Sequence, residues 1–596
     1  MINKDEKRRN YMNTEWSLDS LYKGYDDPGF SEDMEKAAKC IEEMNEFSRD
    51  LSGDREENLK KILRLFEDQE LLFDRLYSFC GLKSSVNTND MESASYLGKL
   101  MALMSNGTKA ETVLKKYISE TENVEELAEK DPLFKEYKYY IEKAIDDARY
   151  QLSDEVEEAL AKMNISGGDA WENLQSSLTS NLKVDYDGKT ITLSDVRNLA
   201  YDPDPEVRKK AYDAEIASYE KIKEPVAFSL NSIKKETLTF CELRGFESPL
   251  EKTLHQSRMK KETLDALLEA MEEYMPMLRK YLKYKGRALG HENGIPWYDI
   301  FAPMGDSTKK YTIEEAKQYL KDIFDMFNPR MSEVVETAFS NEWIDFYPRE
   351  GKVGGAFCSG IGPVKEFRVL TNFDGSFSSV DTLAHELGHG YHDVMIQDHR
   401  PLNWGYSMPV AETASTFNEN VVMNEALKNA SSDEEKLSIL ESILMEVTQI
   451  ICDIYSRFTF EKSVFDRRND EFMSADQLCG LMKEAQKKAF GDAVTEETLN
   501  PFMWVCKSHY YSSHLSFYNF PYAFGGLFAR GLYLKAVEGR EEFLKKYNRM
   551  LEMTPVLDVE EAAMVCGIDL TKKEFWLKSL ESYTDLIEEY GRLTER

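Results

Sequence analysis

Five consecutive residues, His385-Glu386-Leu387-Gly388-His389, constrain this chain more than any other feature. Two residues four positions apart lie on one face of an α-helix, one above the other. Two imidazoles so placed can share one zinc ion at about 2.0–2.1 Å each. Glu386 can then reach a water beside the metal as general base. Only 8 of the 596 residues are histidine, and six of them fall in two short stretches: 385, 389, 392 and 399, then 509 and 514. That clustering marks two segments that belong to one chemistry.

A helix start is expected at Ser378 as N-cap, with Asp381 at the acid position of a capping box. Apolar residues then recur at Leu383, Ala384, Leu387, Val394 and Met395, with no proline before Pro401. Gly388 and Gly390 each weaken such a helix by about 0.5–1 kcal/mol relative to alanine. Selection for helix stability alone would avoid them. They make sense where another backbone, or a substrate, must come close.

A catalytic zinc site usually has three protein ligands and one open position. After a turn-rich connection over residues 401–409, a second helical pattern runs through residues 409–419, with Ser407 as N-cap and proline in the first turn. Glu412 lies one turn in, so antiparallel packing would bring its carboxylate to the two histidines. Glu419 lies two turns further along the same face, placed to accept a hydrogen bond from His385 or His389 and orient it. An ordinary solvated glutamate is the alternative for each.

Residues 508–526 are unusually rich in Tyr, Phe and His, including His509, His514, Tyr518 and Tyr522. Hydroxylated aromatics are a costly way to fill a core. Tyr and His donors aimed at the metal would stabilise the oxyanion of a tetrahedral intermediate, each typically worth a factor of about 100–1,000 in rate. The competing reading is a helix-contact stripe whose hydroxyls find backbone partners.

Residues 354–363 are glycine-rich, and residues 366–373 alternate as a strand does. A phosphate loop would need Gly-Lys-Ser/Thr, yet Gly360 is followed by Ile361-Gly362-Pro363, which excludes it. A glycine-rich turn with an edge strand suits β-augmentation by an extended peptide, or a small sheet that only buttresses the site.

A chain of 596 residues exceeds one core, so two or more lobes are expected. Residues 1 to about 180 read as successive amphipathic helices, clearest at residues 59–66 and weaker at 112–118. Residues 182–193 read as a hairpin around Asp187-Gly188, a type I′ turn. The Asp202-Pro203-Asp204-Pro205 break then precedes a long helical stretch from Glu206 to about Arg244. The boundary is placed near 200, giving an N-terminal helical region, 1–199, and a region carrying the motif, 200–596. A net charge of −33 argues against nucleic-acid binding. Cysteines 40, 80, 241, 358, 452, 479, 506 and 566 form no Cys-x-x-Cys pair and read as free thiols of a reducing compartment. Residues 1–10 are charged, with no apolar stretch behind them, and no run reaches the ~18 apolar residues of a membrane span. A cytoplasmic location with no membrane partner is the expectation.

Three segments together resemble a known family: residues 370–392 around the histidine motif, Glu412-Thr413-Ala414-Ser415, and Phe517-Tyr518-Asn519-Phe520-Pro521-Tyr522. They look like the oligoendopeptidase F branch of the thimet-oligopeptidase-like zinc peptidases. Weaker similarities at residues 16–22 and 297–303 extend the match over most of the chain. The resemblance implies a mainly α fold, two helical lobes flanking a deep channel that admits short unstructured peptides and excludes folded proteins. The strand reading adds a small β-sheet beside the zinc-binding helix. The resemblance also implies one zinc ion per chain on His385, His389 and Glu412, with Glu386 as general base. His509, Tyr518 and Tyr522 would line the substrate side, with His514 competing for the place of His509. The expected activity is zinc-dependent cleavage of internal bonds in oligopeptides. A carboxypeptidase or dipeptidyl carboxypeptidase on the same scaffold is the alternative and would need a cation for the substrate's free carboxylate. A helical binding protein with an incidental motif is a third reading.

Overall fold

Helical periodicity runs through nearly the whole chain, and the fold is mainly α. The computed structural model describes residues 13–305 and 309–595. The charged opening segment, residues 1–10, lies outside them. Among the described residues no helix is long and apolar enough to cross a membrane.

The N-terminal helices behave as their patterns require. Arg55–Val86 buries Leu59, Ile62, Leu63 and Phe66 on one face, and Met91–Ser119 buries Leu114 and Ile118. Asp54 and Asp90 cap them by accepting from backbone N–H groups in the first turn. The hairpin pairs Lys183–Tyr186 with Lys189–Thr192, and Asp187 and Gly188 have φ of 48° and 74°, as a type I′ turn demands.

The helical stretch expected from Glu206 to about Arg244 is present, divided into two helices, Pro205–Tyr219 and Lys223–Arg244. Pro225 lies in the first turn of the second. A proline has no N–H and clashes with the carbonyl four residues back, so a helix entering from upstream ends before it.

Three hydrophobic cores result. Residues between Trp16 and Ile141 form one, joined by Ile361 and Leu370. Residues 182–233 pack with residues 460–511 in a second. The largest gathers residues between Leu254 and Tyr590 and includes the helix that carries the histidine motif.

A three-stranded sheet links two of these cores. Glu366–Leu370 lies at its centre, parallel to Ile344–Asp345 and antiparallel to Phe357–Ile361. The expected edge strand is therefore central, and Phe357–Ile361 occupies the edge. Alternation along the central strand explains the link. Phe367 and Val369 face the largest core, while Leu370 and Arg368 face the N-terminal one. Arg368 donates to the Ser17 carbonyl (2.8 Å) and to Ser20 Oγ (3.0 Å). All eight cysteines are unpaired, five of them buried.

Candidate active site

The motif helix spans Phe377–Ile396. Its N-cap is Ser376, not Ser378: Ser376 Oγ accepts from the Ser379 N–H at 3.1 Å. The start moves because Asp374 binds the Ser376 N–H (2.8 Å) and Ser379 Oγ (2.6 Å) across Gly375, whose φ is 81°. Those bonds, from Ser376 first, hold the Asp374 pKa down at about 2. Asp381 caps nothing. It is half-buried one turn inside the helix, and desolvation first, then Glu419 and Glu446, push its pKa well above the usual carboxylate range.

Both motif glycines allow close approach. A Cβ on Gly388 would stand 2.6 Å from Ser415 Cα and 2.7 Å from the Ala414 carbonyl oxygen. A Cβ on Gly390 would stand 2.6 Å from the Phe367 ring of the central strand. The motif helix is thus pressed between the sheet and a second helix.

That second element is not continuous from residue 409. A helical turn, Met408–Ala411, is followed by Glu412 at a junction and then by the helix Thr413–Asn429. Ser407 has the extended backbone of an N-cap but makes no side-chain capping bond. The junction aims the Glu412 carboxylate, whose Oε2 accepts from Ser415 Oγ at 2.8 Å. Packing on the motif helix is antiparallel. Gly388 meets Ala414 and Ser415, Asn418 Nδ2 donates to the Ala384 carbonyl (3.2 Å), and His385 meets Glu419.

The three candidate metal ligands converge. His385 Nε2 and His389 Nε2 are 3.2 Å apart, and each lies 3.4 Å from Glu412 Oε2. They are the one group of at least three His, Cys, Asp or Glu ligand atoms this close among the described residues. A tetrahedral ion with bonds of about 2.0–2.1 Å needs ligand atoms about 3.3–3.4 Å apart. The triangle fits.

The tautomers fit as well. His385 Nδ1 is 2.8 Å from Glu419 Oε1, and His389 bonds the Ala411 backbone through its other nitrogen. With its proton held at Nδ1, the His385 Nε2 lone pair faces the Glu412 carboxylate. Burial alone would lower the His385 pKa, but the Glu419 hydrogen bond and the charges of Glu419, Glu412 and Glu386 lift it to about 9. His389 is pushed the other way by burial and by His385. Two rings this close accept one positive charge between them.

Glu386 lies near enough to the triangle for the charges of His385, Glu412 and Glu419 to act on it. Burial, then Glu412 and Glu419, push its pKa up to about 7 against the opposing pull of His385 and a hydrogen bond from the Cys358 backbone on the edge strand. A carboxylate near 7 is suited to taking and returning a proton.

The aromatic segment crosses between two cores: Tyr510 and Tyr511 belong to the second, and Phe517, Phe520 and Phe524 to the largest. Tyr511 donates to the Trp504 carbonyl (2.9 Å), so it is a core residue satisfied by backbone. His509, Tyr518 and Tyr522 cluster. His509 Nε2 is 3.4 Å from Tyr522 Oη, and its ring stacks on Tyr518 with centroids 5.4 Å apart. Tyr522 lies one turn before Gly525 in the helix Phe520–Glu538, and a Cβ on Gly525 would stand 2.9 Å from Glu412 Cβ. That face of the helix therefore looks onto Glu412. Burial, then Tyr518 and Glu412, raise the Tyr522 pKa to about 12, so it remains a donor. Burial, Arg457 and Lys507 lower that of His509, so it is neutral at pH 7. His514 is largely exposed, 3.5 Å from Asp169, and stands apart from this cluster.

Sequence reasoning missed four contributors: the Cys358 backbone, Gly525, and the cations Arg457 and Lys507 beside His509. Only Lys507, two residues before His509 in an acidic chain, carried a legible signal.

Residues 198–582 match the family model described as Peptidase family M3, and residues 119–183 match that described as Oligopeptidase F. The chain is 24% identical to Group B oligopeptidase PepB of Streptococcus agalactiae, over 94% of each chain. It is also 24% identical to Oligopeptidase PepF of Bacillus subtilis, over 94% of this chain and 84% of that one. A solved structure from Chlamydophila abortus superposes with a TM-score of 0.83 at 20% identity, covering 97% of this chain and 98% of that one. Oligoendopeptidase-F from Enterococcus faecium superposes with a TM-score of 0.68 at 18% identity, covering 95% and 98%. These likenesses show a shared fold.

Proposed function

The chain belongs to peptidase family M3 and is a metallopeptidase, and from that premise we propose that it is a zinc-dependent endopeptidase cleaving internal bonds of short, unstructured peptides. The observation that carries the reading is the triangle of His385, His389 and Glu412 with Glu386 beside it. His385, His389 and Glu412 would hold the ion. A zinc ion held there would polarise the scissile carbonyl and lower the pKa of water toward ~7.

This chain's own residues do the rest. Glu386 takes the proton of the attacking water and returns it to the leaving amine. Tyr522, held protonated, and neutral His509 donate toward the oxygen on which charge develops, with Tyr518 stacked behind His509. Phe357–Ile361 is an edge strand, along which an extended peptide would lie by β-augmentation. Glu419 keeps His385 in the tautomer that presents Nε2.

The test is Glu386→Gln in zinc-loaded protein. Cleavage of a quenched peptide is expected to fall by a factor of about 100–10,000, with zinc still bound one per chain by metal analysis. Retained cleavage would refute the role of Glu386, and protein purified without zinc and indifferent to chelator would refute the metal.

A further inference from the structure

A cavity of about 410 Å³ opens beside the His509 segment. Gln449 and Asp453, at the two ends of a single π-helical turn, form part of its wall. Ile450 of that turn packs on Gly526, next to the Gly525 that meets Glu412. Lys507, two residues ahead of His509, lines the cavity too. The cavity therefore shares its framework with the active site.

Its charges are unevenly matched. Arg208 is bound by Asp299 (2.8 Å) and two backbone carbonyls, and Asp453 is bound by Arg457. Among the described residues the Arg197 side chain makes no hydrogen bond; it pairs with Glu215 at 3.5 Å and is also acted on by Asp453. The Lys507 ammonium has neither a hydrogen bond nor an ion pair among the described residues, and Asp453 and Glu215 act on it only through space. Arg197, Lys507 and Arg457 thus share two carboxylates, Glu215 and Asp453, one cation in excess inside a protein of net charge −33. Burial and the neighbouring Arg457 also hold the Lys507 pKa below its ordinary value. A half-buried ammonium with no partner costs free energy that a fitting anion would recover. Tyr201, Tyr212, Trp297, Tyr298 and Phe301 form the apolar part of the lining. A cation pair under an aromatic rim suits a carboxylate on a chain that also carries apolar side chains.

We propose that Lys507 and Arg197 form a subsite that receives a carboxylate of the peptide substrate, either its free C-terminus or an acidic side chain. This rests on the peptidase reading above. Engagement there anchors the peptide at a fixed distance from the cut and sets where along its length it is cleaved.

The experiment uses zinc-loaded full-length protein and quenched peptides of one core sequence and graded length. Each is made with a free C-terminus, with a C-terminal amide, and as an amide ending in glutamate. Wild type is expected to favour a carboxylate-bearing peptide over the plain amide by about ten- to a hundredfold in kcat/KM, mostly through KM. Preference for the free acid assigns the C-terminus, and preference for the glutamate amide assigns the side chain. Arg197→Gln is expected to remove the preference while cleaving the plain amide as wild type does. Lys507→Met, whose charge also acts on His509, is read only through the ratio of acid to amide cleavage, which should fall as well, and the wild-type comparison stands without either. Equal cleavage of all three peptides by wild type, or an equal loss on all three in a folded variant, overturns the subsite alone. Failure to cleave any peptide overturns the peptidase reading, and the subsite with it.

Discussion

Gly388→Ala separates helix propensity from site geometry. In an ordinary helix interior the substitution stabilises by up to about 1 kcal/mol. Here the new Cβ would stand 2.6 Å from Ser415 Cα and 2.7 Å from the Ala414 carbonyl oxygen. Both are backbone atoms that cannot rotate aside. An ordinary carbon–carbon contact is about 3.5–4.0 Å, so the two helices must part by about 1 Å. Overpacking of this kind costs about 1–3 kcal/mol, which offsets the propensity gain and leaves a net loss of up to about 2 kcal/mol. The larger effect falls on the site, because Glu412 and Glu419 sit on the displaced side. The ligand edges of 3.4 Å between Glu412 and the histidines would open by about 1 Å, outside what a tetrahedral ion accepts. Zinc affinity is expected to fall by about ten- to a hundredfold or more, and kcat/KM at saturating zinc by about a hundredfold. Competition with a chromophoric chelator, thermal unfolding of the metal-free protein and peptide kinetics read the three quantities. A variant more stable than wild type, with zinc affinity unchanged, would refute the claim that glycine is there for backbone approach.

Other expectations follow from single contacts. Glu419→Gln weakens the hold on His385 Nδ1 and should lower zinc affinity about ten- to a hundredfold; unchanged affinity by chelator competition would count against the orienting role. Tyr522→Phe removes a donor beside His509 and should cost about a hundredfold or more in kcat with little change in KM, whereas a change in KM alone would make it a binding residue. Glu136 ties the N-terminal core to the segment after the motif helix, bonding His399 (3.0 Å), Asn403 (3.0 Å) and the Arg400 N–H (3.2 Å). His399 first, with Asn403 and Arg400, holds its pKa at about 2, and Glu136 in turn raises that of His399. The carboxylate's contribution is present above its unfolded pKa of about 4.3 and is lost as pH falls toward 2. That of His399 is present below about 6.5 and is lost as pH rises through its raised folded pKa. The Tm difference between wild type and Glu136→Gln should therefore be largest near pH 5–6 and shrink on both sides; a flat difference would exclude the linkage.

Much of this protein was legible from local pattern. The i, i+4 spacing of His385 and His389 makes sense only on a helix, and Asp187-Gly188 specifies its turn through the positive φ both residues adopt. The amphipathic faces of the N-terminal helices follow from periodicity alone. Pro225 announced a helix break, but the long run of helix-forming residues around it concealed the signal. Ser378 and Ser376 are equally good caps by type, and the choice fell to Asp374, whose bonds across Gly375 are specific to this turn.

Chain order carries helix faces, turns and the identity of reactive groups, because these depend on neighbours a few residues apart. It does not carry the distance between segments. That Glu412 stands 3.4 Å from both histidines depends on glycines at 388 and 525 letting two further helices close in. That Asp381 is half-buried near Glu419 instead of capping a helix depends on how those helices cross. Lys507 and Arg197 lie 310 positions apart in sequence and meet at one cavity. Burial and long-range electrostatics arise only when separate segments pack, so pKa values and ligand geometry belong to the tertiary structure.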